Sequence, residues 1–396
     1  MSIAATAGLI LLGMHLRHLY SGLRIHSRIL LLQDLSLGMG AMFIVEALMT
    51  YFASSWALPR DVLLTGSGIA LASVFAGRIV FGTAVQNRLG LQSVLFIGYP
   101  PAARDLTGYF ARHPEIGFTP VGYLDWQEAG ADYGIARLGS LGDLEGAVGQ
   151  HRPDWIVIGG RVEIAAPQVD ILVDLRFSGV QVEDLESFYE RTTGRAYAAS
   201  ILPSEPVFAE GLLPNPVNVS LQSIYATLGV LLALPIALPL MGAVALAIRV
   251  TTGGPVLLRD RRVGLCGVPF TMYRFRVASN ATGIARLLAQ LGLDRLPQLW
   301  NVLRGDMSLV GPEADRPEFA ELLNRAIPFH CWRLLVHPGM IGWAQIHKAT
   351  DRHRLDAIRR LEYDLYYMKN LSPLLDLFVL LRWVREALPF SEAGEA

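Results

Sequence analysis

Apolar positions along the chain fall into three textures. Residues 2–14, 29–58 and 62–85 are apolar runs, the second broken by Gln33, Asp34 and Glu46 and the third by Arg78. Runs of about twenty such residues match the hydrocarbon thickness of a bilayer, so they are read as membrane spans, the first of them shortened. That first run has no basic leader and no small-residue cleavage site, unlike a signal peptide. From residue 91 the pattern shortens. Residues 93–98, 119–124 and 155–159 read as buried strands, and 102–114, AARDLTGYFARHP, as a helix between the first two. Strands alternating with helices predict a parallel, doubly wound sheet. The third texture is residues 221–250, uncharged until Arg249 and long enough to cross a membrane, with Pro235 and Pro239 inside it.

Charge decides how these segments are threaded. Residues 15–28 carry Arg17, Arg24, Arg28 and three histidines, whereas the link at 59–61 is only Pro-Arg-Asp. The positive-inside bias therefore puts 15–28 in the cytoplasm and returns the chain there after residue 85. The segment after residue 250 opens with Arg259, Arg261, Arg262, Arg274 and Arg276, which favours the same side. Both flanks of 221–250 are then cytoplasmic, so the run is expected to enter, bend at its prolines and leave on one face as a re-entrant helix. A plain span kinked by proline is the alternative.

Composition agrees with a membrane protein: 52% hydrophobic residues, 17% charged and a mean hydropathy of +0.37 over 396 residues. A net charge of −1 excludes a general nucleic-acid binder. Two cysteines, Cys266 and Cys331, can build neither a disulfide framework nor a zinc site. In the sheet module, Gly98 is followed by Tyr99, Pro100, Pro101, Ala102 and Ala103, which lack the glycines and amides of a phosphate-binding loop. The module is read as Rossmann-like and non-catalytic.

Chemistry concentrates in LDRLPQLWNVLRGDMSLVGP, residues 293–312. Pro297 belongs in the first turn of a helix, so the helix is predicted to start near Arg295 or Leu296 with Asp294 at its N-cap and Gly305 as its stop. An aspartate in that position is most often only a cap. Downstream, residues 338–343 read as a turn and strand. Residues 355–368, with Arg352, Arg354, Arg359 and Arg360 and the aromatics Trp343, Tyr366 and Tyr367, fit an interfacial helix or an amphipathic core helix equally.

The blocks LPQLWNVLRGDMSLVGP, VHPGMIGWAQ (336–345) and YDLYYMKNLSPLLDL (363–377) resemble the signature blocks of bacterial polyprenyl-phosphate sugar-1-phosphate transferases. These are monotopic phosphoglycosyl transferases, and the likeness is greatest to the exosortase-associated exopolysaccharide sugar transferases. GGPVLLRDRRVGLCGVPFTMYRFR (253–276) and ESFYERTTGR (186–195) match the same group in order. The resemblance implies membrane helices at 1–88, a Rossmann-like cytoplasmic module at 91–195, a linker at 196–220, a re-entrant helix at 221–252 and a mostly α catalytic domain at 253–396. It also implies a reaction: a carboxylate attacks the β-phosphate of a UDP-sugar, UMP leaves, and undecaprenyl phosphate captures the phosphosugar from an aspartyl intermediate, initiating exopolysaccharide synthesis at the cytoplasmic face of the inner membrane.

By the same resemblance Asp294 is the nucleophile and a Mg²⁺ contact, with Arg295 beside it. Arg262, Arg274, Arg276, Gly311, Pro312, Glu313, Arg316 and Asp376 hold substrate phosphate. For Arg274, Arg276 and Asp376, a solvated or helix-surface charge is an equal reading. Membrane lipid is an implied partner, nucleic acid is not, and a homodimer is left open. Three departures bear on activity. The family carries Asp-Glu where this chain has Asp294-Arg295. It carries Gly-Pro-Arg-Pro where this chain has Gly311-Pro312-Glu313-Ala314. Its segment between Arg276 and Asp294 is longer. An acid has become Arg295 and a base Glu313, so the two are expected either to pair with exchanged charges or to mark a lost activity. In the second case the chain is an impaired paralogue acting as a membrane scaffold or regulator.

Overall fold

The computed structural model describes residues 91–125, 134–159, 166–197, 214–252, 255–276, 292–347 and 354–387, with isolated positions at 69, 73 and 77. The spans expected within 1–88, most of the 196–220 linker and the short segment 277–291 lie outside the described residues. The chain divides between Thr193 and Gly194 into two compact units.

The first unit runs β1 (Gln92–Ile97), α1 (Pro101–Arg112), β2 (Phe118–Asp125), β3 (Arg137–Ser140), α2 (Leu144–His151), β4 (Trp155–Ile158), α3 (Ala166–Phe177), β5 (Gln181–Asp184) and α4 (Leu185–Thr193). All strand pairs are parallel, in the order β3-β2-β1-β4-β5. That is the order of the first five strands of a Rossmann sheet. Val94 to Ile97 on the central strand are wholly buried, as both faces of a parallel sheet demand. β3 and β5 escape the apolar pattern because they are short, polar edges, RLGS and QVED. The ESFYERTTGR block forms most of α4. Its Arg191 binds Glu183 at 2.6 Å and lies 4.6 Å over the Trp155 ring, so it serves the module's own packing.

The second unit opens with α5 (Pro216–Thr252), followed by β6 (Leu257–Val263), β7 (Pro269–Phe275), a single 3-10 turn at Leu293–Arg295, α6 (Gln298–Leu303), β8 (Ser308–Val310), α7 (Pro317–Ala326), a 3-10 segment His330–Leu335, β9 (Gly339–Ile341), α8 (Trp343–Ile346), α9 (Arg354–Lys369) and α10 (Pro373–Ala387). It is mostly helical, with an antiparallel β6–β7 hairpin and a parallel β8–β9 pair.

α5 starts at Pro216, earlier than the apolar run suggested, and continues unbroken through Pro235 and Pro239. Each proline removes one helical hydrogen bond, a loss an apolar helix tolerates without ending. Its residues 216–250 are long and apolar enough to cross a membrane. Gln222, Ala226, Val230, Ala237, Val244 and Ile248 form a buried stripe, while Leu228, Leu232, Ile236 and Leu246 are exposed. Near the start of α5, Asn218 donates to the Leu371 carbonyl at 2.9 Å. Near its end, Val244 and Ile248 cluster with Phe275. Both ends thus pack on the one unit.

α9 is a core helix, and the interfacial reading does not hold. Leu361, Leu365, Tyr367 and Met368 are buried, and so is Arg360. Trp343, expected at the lipid surface, is 3% exposed and donates to the Gly194 carbonyl at 2.9 Å.

β8 and β9 approach closely enough to require glycine. A Cβ on Gly339 would stand 2.1 Å from the Gly311 nitrogen, with no flexible side chain able to yield. Gly339→Ala should therefore destabilise the second unit by at least about 3 kcal/mol. Gly108→Ala in α1, where the added methyl meets nothing within 4 Å, should be neutral to stabilising. Thermal unfolding of the detergent-solubilised protein checks both, and an unchanged melting point for Gly339→Ala contradicts the packing described.

Candidate active site

Asp294 does not cap a helix. It sits, half-exposed, in the 3-10 turn Leu293–Arg295; α6 begins only at Gln298, with Pro297 in the cap position. The fixed φ of Pro297 suits a helix start, and it serves there without a side-chain cap. Gly305, at φ 79°, follows the end of α6 as expected. The turn is seated from two sides. Leu293 and Leu296 pack against the Val244, Ile248 and Phe275 cluster. Behind them Gly292 takes φ 67°, and a Cβ there would meet the Trp383 ring at 2.5 Å. On α6, the fully buried Asn301 accepts from the Tyr273 amide at 3.1 Å and donates to the Thr271 carbonyl at 2.7 Å, fastening the turn's helix to β7.

Arg295 and Glu313 are linked without touching. Arg295 Nη1 donates to the Met340 carbonyl at 2.9 Å and to Gln345 Oε1 at 3.0 Å, and Gln345 Nε2 donates to Glu313 Oε2 at 3.2 Å. The expected direct pair is replaced by a bridge through a carboxamide, whose two ends offer an acceptor and a donor. Gly311 and Pro312 lie in the loop before Glu313, where the Gly339 amide donates to the Pro312 carbonyl at 2.9 Å.

Three of the expected phosphate-binding arginines converge. On one face of the hairpin, Asp260 Oδ2 lies 3.3 Å from Arg262, 3.9 Å from Arg274 and 3.9 Å from Arg316. Three guanidinium charges face one carboxylate. The buried Nε atoms of Arg262 and Arg274 have no hydrogen-bond partner among the described residues. Arg262 Nη1 also donates to the Ala314 carbonyl at 2.8 Å, joining this cup to the Glu313 loop. Arg276 is exposed at the hairpin's end and takes no part in the cup.

Under the loop lies a charge network that the sequence blocks did not flag. Arg333, 2% exposed, pairs with Asp315 and, at 2.7 Å, with Asp364, and donates to the Glu313 carbonyl at 3.0 Å. Arg360 holds the other Asp315 oxygen at 2.5 Å. Burial alone would raise the Asp315 carboxyl, but Arg333 and Arg360 outweigh it and hold the group below the usual carboxylate range. His330, beside them, is pushed down to about 4 by burial and by Arg333, so it is neutral at physiological pH. The only sequence hint was charge on otherwise apolar helix faces.

Asp376, expected either to serve substrate phosphate or to be a helix-surface charge, is not on the surface. It is 2% exposed and accepts from Gln222 at 2.9 Å, Tyr225 at 2.6 Å and Tyr367 at 2.5 Å. Gln222 and Tyr367 also donate to the Val310 carbonyl, so Asp376 supports the loop from below. Among the described residues, no three His, Cys, Asp or Glu side chains are grouped to hold a metal. A magnesium ion held by one carboxylate and a substrate's phosphates would need no such cluster.

A membrane-length apolar helix packed on a mostly helical domain, with a carboxylate in a turn and three arginines gathered beside the hairpin, suits the class of membrane-associated group-transfer enzymes. The sequence comparisons make that class specific: residues 217–389 match the family described as bacterial sugar transferase, and the chain belongs to that family. A relative from Aeromonas hydrophila, named UDP-N-acetylgalactosamine-undecaprenyl-phosphate N-acetylgalactosaminephosphotransferase, is 31% identical over 345 residues, covering 82% of this chain and 77% of the relative. A Klebsiella pneumoniae protein, named UDP-glucose:undecaprenyl-phosphate glucose-1-phosphate transferase, is 29% identical, covering 72% and 66%. The uncharacterized sugar transferase EpsL of Bacillus subtilis is 37% identical over 155 residues, covering 36% of this chain and 74% of its own.

Burial pushes the Asp376 carboxyl up from 3.8 to about 6, against the pull of its hydrogen bonds. The folded state then binds more protons than the unfolded chain between these values, so this group's contribution to stability falls as pH rises through that window. Asp376→Asn removes the dependence. The difference in unfolding free energy should move in the variant's favour by about 2 kcal/mol between about pH 4 and about pH 7. Denaturant titrations at the two pH values measure it, and a difference independent of pH refutes the assignment.

Proposed function

We propose that the chain transfers a sugar-1-phosphate from a UDP-sugar to undecaprenyl phosphate, at the cytoplasmic face of the inner membrane, as the opening step of exopolysaccharide assembly. The observation that carries this reading is Asp294 in a half-exposed turn braced against the apolar helix α5, with Arg295 linked through Gln345 to the loop that meets the arginine cup. The relatives named for this reaction with two different sugars support the reaction class and leave the sugar open.

In this reading an Asp294 oxygen attacks the β-phosphorus of the UDP-sugar. The bond to the bridging oxygen breaks and UMP leaves with that electron pair. An oxygen of the lipid phosphate then attacks the same phosphorus, and the Asp294 carboxylate is the leaving group. Arg262, Arg274 and Arg316 bind the phosphate oxygens and offset the charge spread over them during transfer. Asp294 is the carboxylate that would help hold a magnesium ion, which would offset the charge of the diphosphate. α5 lies with its exposed apolar face in one leaflet, its two ends held on the same domain.

The second reading, a scaffold without turnover, draws on Arg295 standing where the family has an acid. Asp294→Asn separates the two: UMP release should fall by at least about 10⁴-fold, and the phosphosugar adduct should vanish from the intact-mass spectrum. If no adduct forms on the native chain with any UDP-sugar, the scaffold reading stands. Gln345→Leu cuts the bridge and should lower kcat/KM about tenfold to a hundredfold through misplacement of Arg295. The double exchange Arg295→Glu with Glu313→Arg restores the charges the family carries at these positions and should raise activity, the carboxamide accommodating it by reversing its donor and acceptor ends; no gain refutes a role for these two charges in the activity.

A further inference from the structure

Beside the Asp294 turn lies a groove of about 630 Å³, walled by Met241, Gly242 and Ala245 of α5, Tyr273 and Phe275 of β7 and Trp300 of α6. Its volume is that of a ligand site. Pro297, three residues beyond Asp294, closes one side, and Leu293 and Leu296 pack with Met241, Ala245 and Phe275 in one cluster. On the same helix, apolar side chains near the groove are exposed: Leu238 is 58% exposed, Leu246 66% and Val250 77%.

Strand alternation gives the groove a charged end. In the hairpin register Leu257 pairs with Phe275, Arg259 with Tyr273 and Arg261 with Thr271, so these residues share the face opposite the Asp260 cup. Arg259 and Arg261 are exposed on it. An apolar trough open to the membrane and ending at two arginines fits an amphiphile with a long hydrocarbon tail and an anionic head.

We propose that this groove holds the first isoprene units of the lipid-phosphate acceptor, with Arg259 binding its phosphate. The proposal rests on the transferase reading and adds the acceptor's position: the tail lies between α5 and the hairpin, and the head reaches Asp294 along the Arg259 face. The arginine cup on the other face is left to the nucleotide sugar, so donor and acceptor approach from opposite sides of one hairpin. Trp300, 57% exposed, covers the tail at the membrane boundary.

Photolabelling of the full chain in phosphatidylglycerol nanodiscs tests it. The probes are a farnesyl-length isoprenyl phosphate with a diazirine on the tail and a phosphatidylglycerol with a diazirine on its acyl chain. The isoprenyl probe should label the peptides containing Met241 to Ala245 and Trp300, and undecaprenyl phosphate should compete it away. Gly242→Phe fills the groove from a position where an added Cβ meets nothing within 4 Å. It should cut labelling about tenfold, the effect of turning roughly two methylene groups out of an apolar site. Arg259→Gln should raise the half-saturating probe concentration about fivefold, as one charge-assisted contact is lost. Equal labelling by the phospholipid probe, labelling that survives Gly242→Phe, or labelling elsewhere overturns the groove. Turnover without groove labelling removes this proposal and keeps the transferase reading; groove labelling without any turnover removes the transferase reading and leaves only an isoprenyl-phosphate binding site.

Discussion

Most of the second unit depends on one buried guanidinium. Arg333 ties Asp315, Asp364 and the Glu313 carbonyl together with almost no access to water. Charges so placed are costly to desolvate, and removing one partner leaves the others exposed to the full penalty of burial, about 3–5 kcal/mol in comparable pairs. The network fixes more than it stabilises. Asp315 accepts from the Val263 amide through its backbone at 2.9 Å, so the arginine that holds the Glu313 loop also holds the end of β6 to it. Asp364 brings in α9. The loop, the hairpin and a core helix are therefore held in one arrangement by groups that cannot be exchanged singly.

A second polar core works at the other end of the same loop. Asp376, Gln222, Tyr225 and Tyr367 join α5, α9 and α10 and meet the Val310 carbonyl just before Gly311. An apolar helix could slide or rotate on an apolar surface with little loss, because hydrophobic contact is non-directional. Hydrogen bonds to a single buried carboxylate set both its depth and its rotation. The exposed face of α5 is thereby fixed with respect to Asp294, and a membrane that took up this face would also take up the orientation of the Asp294 turn.

Much of this was legible in the sequence, and the failures have physical causes. The central strands were visible because burial on both sides writes an uninterrupted apolar run, as in Val94 to Ile97, whereas RLGS and QVED at the sheet edges write none. Arg262, Arg274 and Arg316 gather as the motif suggested, although Asp260, the carboxylate that organises them, went unnoticed as one charge among many. Asp376 was linked to substrate by the family resemblance of its block, with a helix-surface charge as the equal reading; its burial in a polar core was not foreseen. Its partners are 151 and 154 residues away at Tyr225 and Gln222, a distance no local pattern reports. Asp294 was assigned to a cap because Asp before Pro-containing helices is commonly one, and the intervening 3-10 turn has no sequence signature of its own.

The exchanged charges at Arg295 and Glu313 are best understood through what lies between them. A direct Arg–Glu pair has one sense: the guanidinium donates and the carboxylate accepts. A carboxamide bridge has two, since Gln345 presents an acceptor to Arg295 and a donor to Glu313 and would present the reverse after rotation about its last torsion. A site linked in this way tolerates reversal of its outer charges more readily than one closed by contact. The bridge also leaves Glu313 on the surface while Arg295 is drawn toward the Met340 carbonyl, so the cation is anchored and the acid is the freer group. Positive charge beside Asp294 is then a fixed property of the fold. In the proposed reaction a diphosphate would meet that charge already oriented, without first organising a flexible side chain.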